Sequence, residues 1–173
     1  MIETVFARTL GVPEHKVRII APDVGGSFGL KIHTFGDEVA ATAAAIKLAR
    51  PVKFVADRLE SFVSDIHARE NRVHAKIGVM NDGTLVAAEI DDLSGVGAYS
   101  QFPRTSVFEA NQILHITFGP YKHKNYRAKA TVAYLNAVPT SQCRAVGHPI
   151  GITVAEHMMD WAADVTGLDP FDI

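Results

Sequence analysis

Apolar and polar positions recur with two different periods along this chain, and the switch between them divides it. Ile2, Val5, Phe6, Thr9 and Leu10 follow helical spacing, and Gly11 with Pro13 behind it supplies a stop. Val17 to Ile20 is a short apolar run that predicts a buried strand. Asp37 to Ala49 predicts a second helix, with Asp37 and Glu38 suited to its N-terminal dipole and Lys47 and Arg50 to its end. The many alanines of that helix predict close packing on a sheet. Val52 to Ala56 predicts a second short strand, ended by Asp57-Arg58, and Leu59 to Ser64 predicts one or two helical turns.

From Val73 the period changes. Val73, Ala75, Ile77 and Val79 alternate with His74, Lys76 and Gly78, the pattern of a half-buried strand. Asn81-Asp82-Gly83 is a hairpin turn signal, and Leu85 to Asp92 is the returning strand, continued irregularly by Ser94 to Tyr99. Thr105 to Leu114 predicts a helix and Tyr126 to Leu135 another strand. A last helix carries an apolar stripe of Ala155, Met158, Met159, Ala162 and Val165, with Glu156, Asp160 and Asp164 on a wet face. The class expected is α+β, a mixed sheet with an antiparallel hairpin packed by helices. No fixed-period repeat, low-complexity segment or Pro/Ser-rich linker interrupts the chain, so residues 1–173 are expected to form a single domain.

Composition narrows the function classes. Hydrophobic residues make up 47% and charged residues 21%, which favours a folded globular chain over disorder. A net charge of -2 gives no electrostatic case for nucleic acid. No apolar run approaches the roughly 18 residues of a membrane span, so no membrane partner is expected. The start, Met1 to Gly11, has the mixed polarity of a short helix and not the apolar core of a signal peptide. The single cysteine excludes an internal disulfide framework and a cysteine-based zinc site, and fits a reducing, cytoplasmic setting. His15, His33, His67, His74, His115, His123, His148 and His157 are scattered without metal-ligand spacing, and Ser27, Ser61 and Ser64 have no His/Asp frame for a triad.

Two glycine-bearing loops carry the candidate chemistry. Ala21 to Lys31 joins the first predicted strand to the Ala-rich helix and places Gly25, Gly26 and Gly29 around Phe28. Glycine lets a ligand approach bare backbone, consecutive N–H groups can form an anion-binding nest, and Lys31 adds a cation at the rim. The spacing fits neither a P-loop nor a dinucleotide fingerprint. Ser141 to Pro149 is a second loop before the last helix. A tight turn remains the plain reading of each loop taken alone.

Together, Gly25-Gly26-Ser27-Phe28-Gly29-Leu30-Lys31 and Cys143-Arg144-Ala145-Val146-Gly147-His148-Pro149 resemble the molybdenum-binding subunit of molybdenum hydroxylases. That family includes xanthine dehydrogenase, aldehyde oxidoreductase and aerobic carbon monoxide dehydrogenase. Its first loop typically reads GGGFGGK and its second FRG or YRG-x-G-x-P. The resemblance extends to Val17 to Pro22, Arg50-Pro51-Val52-Lys53, Asp57-Arg58 and Gly167-Leu168-Asp169-Pro170, so it covers nearly the whole chain. Family subunits are much longer, which implies that this chain is an internal part of one and inactive alone.

The resemblance implies hydroxylation of an aldehyde or N-heterocycle, with water as oxygen source. The implied cofactor is molybdopterin with molybdenum, in bacteria often the cytosine dinucleotide form. FAD and 2Fe-2S clusters would sit in partner subunits, an iron–sulfur subunit and an FAD subunit, since one cysteine cannot hold a cluster. The rest of the molybdenum subunit and a small-molecule substrate are the other expected partners, in an oligomer. The resemblance assigns cofactor contacts to Gly25, Gly26, Phe28, Gly29, Arg144, Ala145, Val146 and Gly147, with Phe28 and Arg144 beside the metal. No catalytic residue is assigned, because the family's glutamate base belongs to a later Gly-Glu motif with no counterpart here.

Ile32 and Val146 are the substrate candidates. Purine-hydroxylating relatives continue the first loop as Gly-Gly-Lys-Glu and place a stacking aromatic in the second; this chain has Ile32 and Val146 there. His148 replaces the family's Arg or Gly, and Arg104 falls in the region of the substrate funnel, both without an assigned role. The copper-containing carbon monoxide dehydrogenases place a cysteine after the loop arginine. Here Cys143 precedes Arg144 and Ala145 follows, so a buried, inert thiol is expected. Two other readings stay open: a non-catalytic module binding a phosphate-bearing ligand or another subunit, and a carbon monoxide dehydrogenase-like large subunit without the copper cysteine.

Overall fold

A computed structural model of the chain describes residues 1–173. Five helices and a three-stranded sheet follow one another as α1 (Ile2–Leu10), α2 (Gly36–Leu48), α3 (Arg58–Ser64), β1 (Asn71–Val79), β2 (Leu85–Gly95), α4 (Val107–Ile116), β3 (Asn125–Ala133) and α5 (His148–Thr166). The sheet order is β1-β2-β3, with β1 antiparallel and β3 parallel to β2. The fold is therefore α+β with a mixed sheet, built on the hairpin around Asn81-Asp82-Gly83. Gly83 takes φ 85 at its tip, and the Asp82 carboxylate accepts from Thr84 N at 3.0 Å.

Period 2 along β1 buries Val73, Ile77 and Val79 partway against a core of Leu85, Ala88, Ile90, Phe118, Ala155 and Met159. Helix α5 contributes Ala155 and Met159 from its predicted stripe, whereas Val165, at 88% exposed, lies off it. Gly147 and Gly167, both left-handed, bound α5. Farther along β2, at the end remote from this core, the inward positions turn polar. Asp92 and Ser94 are buried there beside the half-buried Asn71, whose Nδ2 donates to both Asp92 oxygens at 3.1 and 3.2 Å.

Two expected strands do not form. Val17 to Ile20 and Val52 to Ala56 take no regular structure and join no sheet, and Ile20 and Val55 stand exposed. An apolar run reads the same whether or not a partner strand lies within reach. Helix α2 likewise packs on no sheet and has no fully buried residue; its alanines leave every face alike. Asp57 caps α3 by accepting from Glu60 N at 2.8 Å, while Glu60 accepts from Asp57 N at 2.8 Å. No helix is long and apolar enough to cross a membrane.

Candidate functional site

The two glycine-bearing loops meet. Arg144 N donates to Phe28 O at 2.7 Å, and the Arg144 guanidinium carbon lies 5.8 Å from the centre of the Phe28 ring. Gly29 makes the approach possible. With φ 96, it sits so close to the second loop that a Cβ there would stand 2.6 Å from Gln142 O. Phe28 itself is 63% exposed, with φ 51. Phe28, Arg69 and Ala145, three of the five non-glycine residues with positive φ, lie at this junction. Such left-handed backbone costs about 1–2 kcal/mol per residue and persists where surrounding contacts over-determine it.

Most backbone amides of the two loops have no partner within the chain. The N–H groups of Gly25, Gly26, Ser27, Phe28 and Gly29 make no hydrogen bond, nor do those of Ala145 and Val146. From 24 to 32 and from 143 to 149 no carboxylate occurs. Lys31 turns aside, 3.6 Å from Asp65 and 5.4 Å from the Phe35 ring centre. The positive charge left at the junction is that of Arg144, which pairs with no carboxylate. Free amides beside a cation suit the oxo ligands of a metal, a phosphate or the polar edge of a pterin.

The second loop is held from behind. Gln142, 1% exposed, donates from Nε2 to Thr105 O at 2.7 Å and accepts from Ser141 Oγ at 2.9 Å. Arg69 donates from one terminal nitrogen to Cys143 O at 2.9 Å and to Arg144 O. Its Nε lies 3.3 Å from Glu109 Oε1, an ion pair bent away from hydrogen-bond geometry. Glu109 Oε1 also accepts from Gly147 N at 3.2 Å. Burial pushes the Glu109 carboxyl above its usual range, opposed by the Gly147 N–H and the Arg69 charge, with Asp92 pushing the same way as burial. Gly147, φ 75, packs so tightly on α4 that a Cβ would meet Gln112 Cβ at 2.7 Å.

Of the residues singled out by sequence, Gly25, Gly26, Phe28, Gly29, Arg144, Ala145, Val146 and Gly147 therefore lie on two touching loops. Ile32 ends a short 3-10 turn after Gly29 and is half-buried, as is Val146. His148 folds back on its own loop, with Nδ1 2.8 Å from Ala145 O. Arg104 reaches the Phe108 ring at 6.0 Å and neither loop. Cys143 is half-buried and not enclosed, because it sits where the second loop leaves the interior. His33, directly after the first loop, is 2% exposed with both ring nitrogens unpartnered. Burial holds its pKa below the usual histidine value; the Phe102 backbone opposes this and the Arg104 charge adds to it. Five surface pockets of about 290–590 Å³ are lined by no residue of either loop.

Sequence reasoning missed Arg69, Glu109 and Gln142. Glu109 carried a signal, since it shares a helix face with the buried Ile113 at i+4, an odd place for a carboxylate without a partner. Arg69 and Gln142 sit in irregular segments where no periodicity marks burial.

Comparison with known proteins gives one answer. The family model of the molybdopterin cofactor-binding domain matches residues 1–173. The carbon monoxide dehydrogenase large chain of Hydrogenophaga pseudoflava is 29% identical, over 100% of this chain and 22% of its own. The nicotine 6-hydroxylase large subunit of Paenarthrobacter nicotinovorans is 32% identical, over 95% of this chain and 20% of its own. The solved quinoline 2-oxidoreductase of Pseudomonas putida 86 superposes with a TM-score of 0.91 at 30% identity, over 99% of this chain and 22% of that one. This chain thus spans about a fifth of the length of each of these three relatives.

Proposed function

Because the chain belongs to the molybdopterin cofactor-binding domain family, we propose that residues 1–173 form one domain-sized part of the cofactor site of a molybdenum hydroxylase. The whole protein is an oxidoreductase that hydroxylates an aldehyde or N-heterocycle with water as oxygen source. The observation that carries this reading is the junction of the two loops, with seven unpartnered amides and no carboxylate within residues 24–32 or 143–149. Gly25, Gly26, Phe28 and Gly29 from one side and Arg144, Ala145, Val146 and Gly147 from the other would hold molybdopterin, with Phe28 and Arg144 as the residues that would face its metal. When bound, the molybdenum supplies the oxygen-transfer and two-electron chemistry that amino acids lack.

This chain's own contribution is binding and orientation. The free N–H groups would donate to an anionic ligand sphere without having to reorganise, and Arg144, stacked on Phe28, would add positive charge. The residue that moves the proton lies elsewhere in the subunit. Electrons leave through iron–sulfur and FAD partner subunits of a cytoplasmic oligomer. Purifying the complete subunit with its partners and assaying molybdenum and pterin tests the reading. Stoichiometric molybdenum and pterin are expected, with hydroxylase turnover that the isolated 173-residue chain lacks. A complex free of both supports instead a non-catalytic module that binds a phosphate ligand or a subunit.

Ile32 and Val146 favour a small or weakly polar substrate. An isoleucine offers a purine no hydrogen bond, and each unpaired polar group would cost about 1–3 kcal/mol, or about tenfold to a hundredfold in binding. A missing aromatic stack at Val146 removes another ~1 kcal/mol. In the complete enzyme, Ile32→Glu is expected to shift the ratio of kcat/KM for xanthine over a simple aldehyde upward by at least tenfold. An unchanged ratio removes Ile32 from the pocket. The carbon monoxide reading has the similarity to the Hydrogenophaga large chain in its favour, and turnover of carbon monoxide but not of aldehydes would select it.

A further inference from the structure

The Cys143–Arg144 peptide unit is pinned at both ends. Its carbonyl accepts from Arg69 at 2.9 Å, and its N–H donates to Phe28 O at 2.7 Å. The next carbonyl, Arg144 O, accepts from the same Arg69 nitrogen. We propose that Arg69 is the positioning residue of the cofactor cradle, setting the second loop's height through these two carbonyls and, through the pinned peptide, the first loop's as well. This rests on the reading of the two loops as that cradle.

Four observations converge on it. Arg69 belongs to neither loop, but it is the cation in contact with the carbonyl oxygens of the second. It adopts φ 60, a backbone state an arginine holds only when its surroundings impose it. A cation on a peptide oxygen polarises that peptide and strengthens the bond its N–H makes onward, here to Phe28. Finally, Glu109 anchors the guanidinium from behind and takes Gly147 N, so one carboxylate ties Arg69 to the start of α5. Occupying the carbonyls behind the loop leaves its exposed side with the free amides of Ala145 and Val146.

Removing Arg69 alone has two consequences that must be told apart: the loop loses its brace, and Glu109 is left buried without its counter-charge. The experiment therefore compares Arg69→Met, Arg69→Lys and the double variant Arg69→Met/Glu109→Gln in the complete enzyme. It reads melting temperature, molybdenum and pterin retained after dialysis, and the Mo(V) electron paramagnetic resonance spectrum. Glutamine at 109 still accepts from Gly147 N and carries no charge. The double variant is expected to regain the melting temperature lost by Arg69→Met, yet retain at least tenfold less cofactor than wild type and show an altered Mo(V) spectrum. Arg69→Lys, which keeps the charge but reaches fewer carbonyls, is expected to fall between. Wild-type cofactor content and spectrum in the double variant overturn the proposal and reduce Arg69 to a counter-ion. If Arg69→Met does not fold, the double variant still decides. A wild-type enzyme without molybdenum would instead defeat the cradle reading itself.

Discussion

Phe118→Ala is expected to cost about 3–5 kcal/mol, the largest loss of any single core truncation in this chain. Phe118 is 0% exposed and is the largest side chain of the buried cluster it forms with Leu85, Ala88, Ile90, Ala155 and Met159. Buried residues number 31 of 173, so few other contacts can compensate. A domain with net stability of about 5–15 kcal/mol and so small a core has little in reserve. Phe118 also sits at φ 61, two residues after the end of α4, where its carbonyl accepts from Tyr121 N at 3.0 Å. Alanine inherits that strained conformation along with the cavity, while glycine inherits the cavity only. The expected order of urea midpoints is wild type, then Phe118→Gly, then Phe118→Ala, the reverse of the usual ranking. Circular dichroism through the transition measures it; an alanine variant at or above the glycine variant shows that the turn holds no strain.

The part of this fold that could be read from sequence is the part that carries its own partner. The β1–β2 hairpin supplies both strands, a turn signal and one shared apolar face, so periodicity alone locates it. Helix α5 announces itself with a stripe and two bounding glycines. Val17 to Ile20 and Val52 to Ala56 look equally strand-like, but an apolar run specifies burial and not what buries it, and nothing in residues 1–173 pairs with either. The two loops were legible only as a pair of motifs. What makes them one site is a peptide bond at Cys143–Arg144 and the arginine behind it, and neither has any periodic signature. Glu109 sits between these cases. Its place on the Ile113 face marks it as a buried charge, although only the tertiary structure supplies Arg69 as its partner.

Gly29→Ala is expected to part the two loops. The new Cβ would lie 2.6 Å from Gln142 O and 3.2 Å from Gln142 C, and both are backbone atoms. That carbonyl cannot retreat easily, because the Gln142 side chain is itself anchored to Thr105 O at 2.7 Å. Added to this is φ 96, outside the range an L-residue takes without strain. Backbone strain of about 1–3 kcal/mol and overpacking of similar size put the total near 2–6 kcal/mol. The cheapest relief is local: the Arg144 N–Phe28 O bond breaks and the first loop lifts away, leaving the core cluster around Phe118 untouched. The complete enzyme should then lose most of its molybdenum and pterin while its secondary structure stays native. Gly25→Ala is the informative contrast. A Cβ there meets nothing within 4 Å in the chain, so stability should change by less than about 0.5 kcal/mol. Only a ligand lying against the bare backbone of Gly25 would feel the methyl group. Cofactor loss in both variants, with destabilisation in Gly29→Ala alone, is the expected result. Full cofactor content in Gly29→Ala would show that contact between the loops is not what holds the site together.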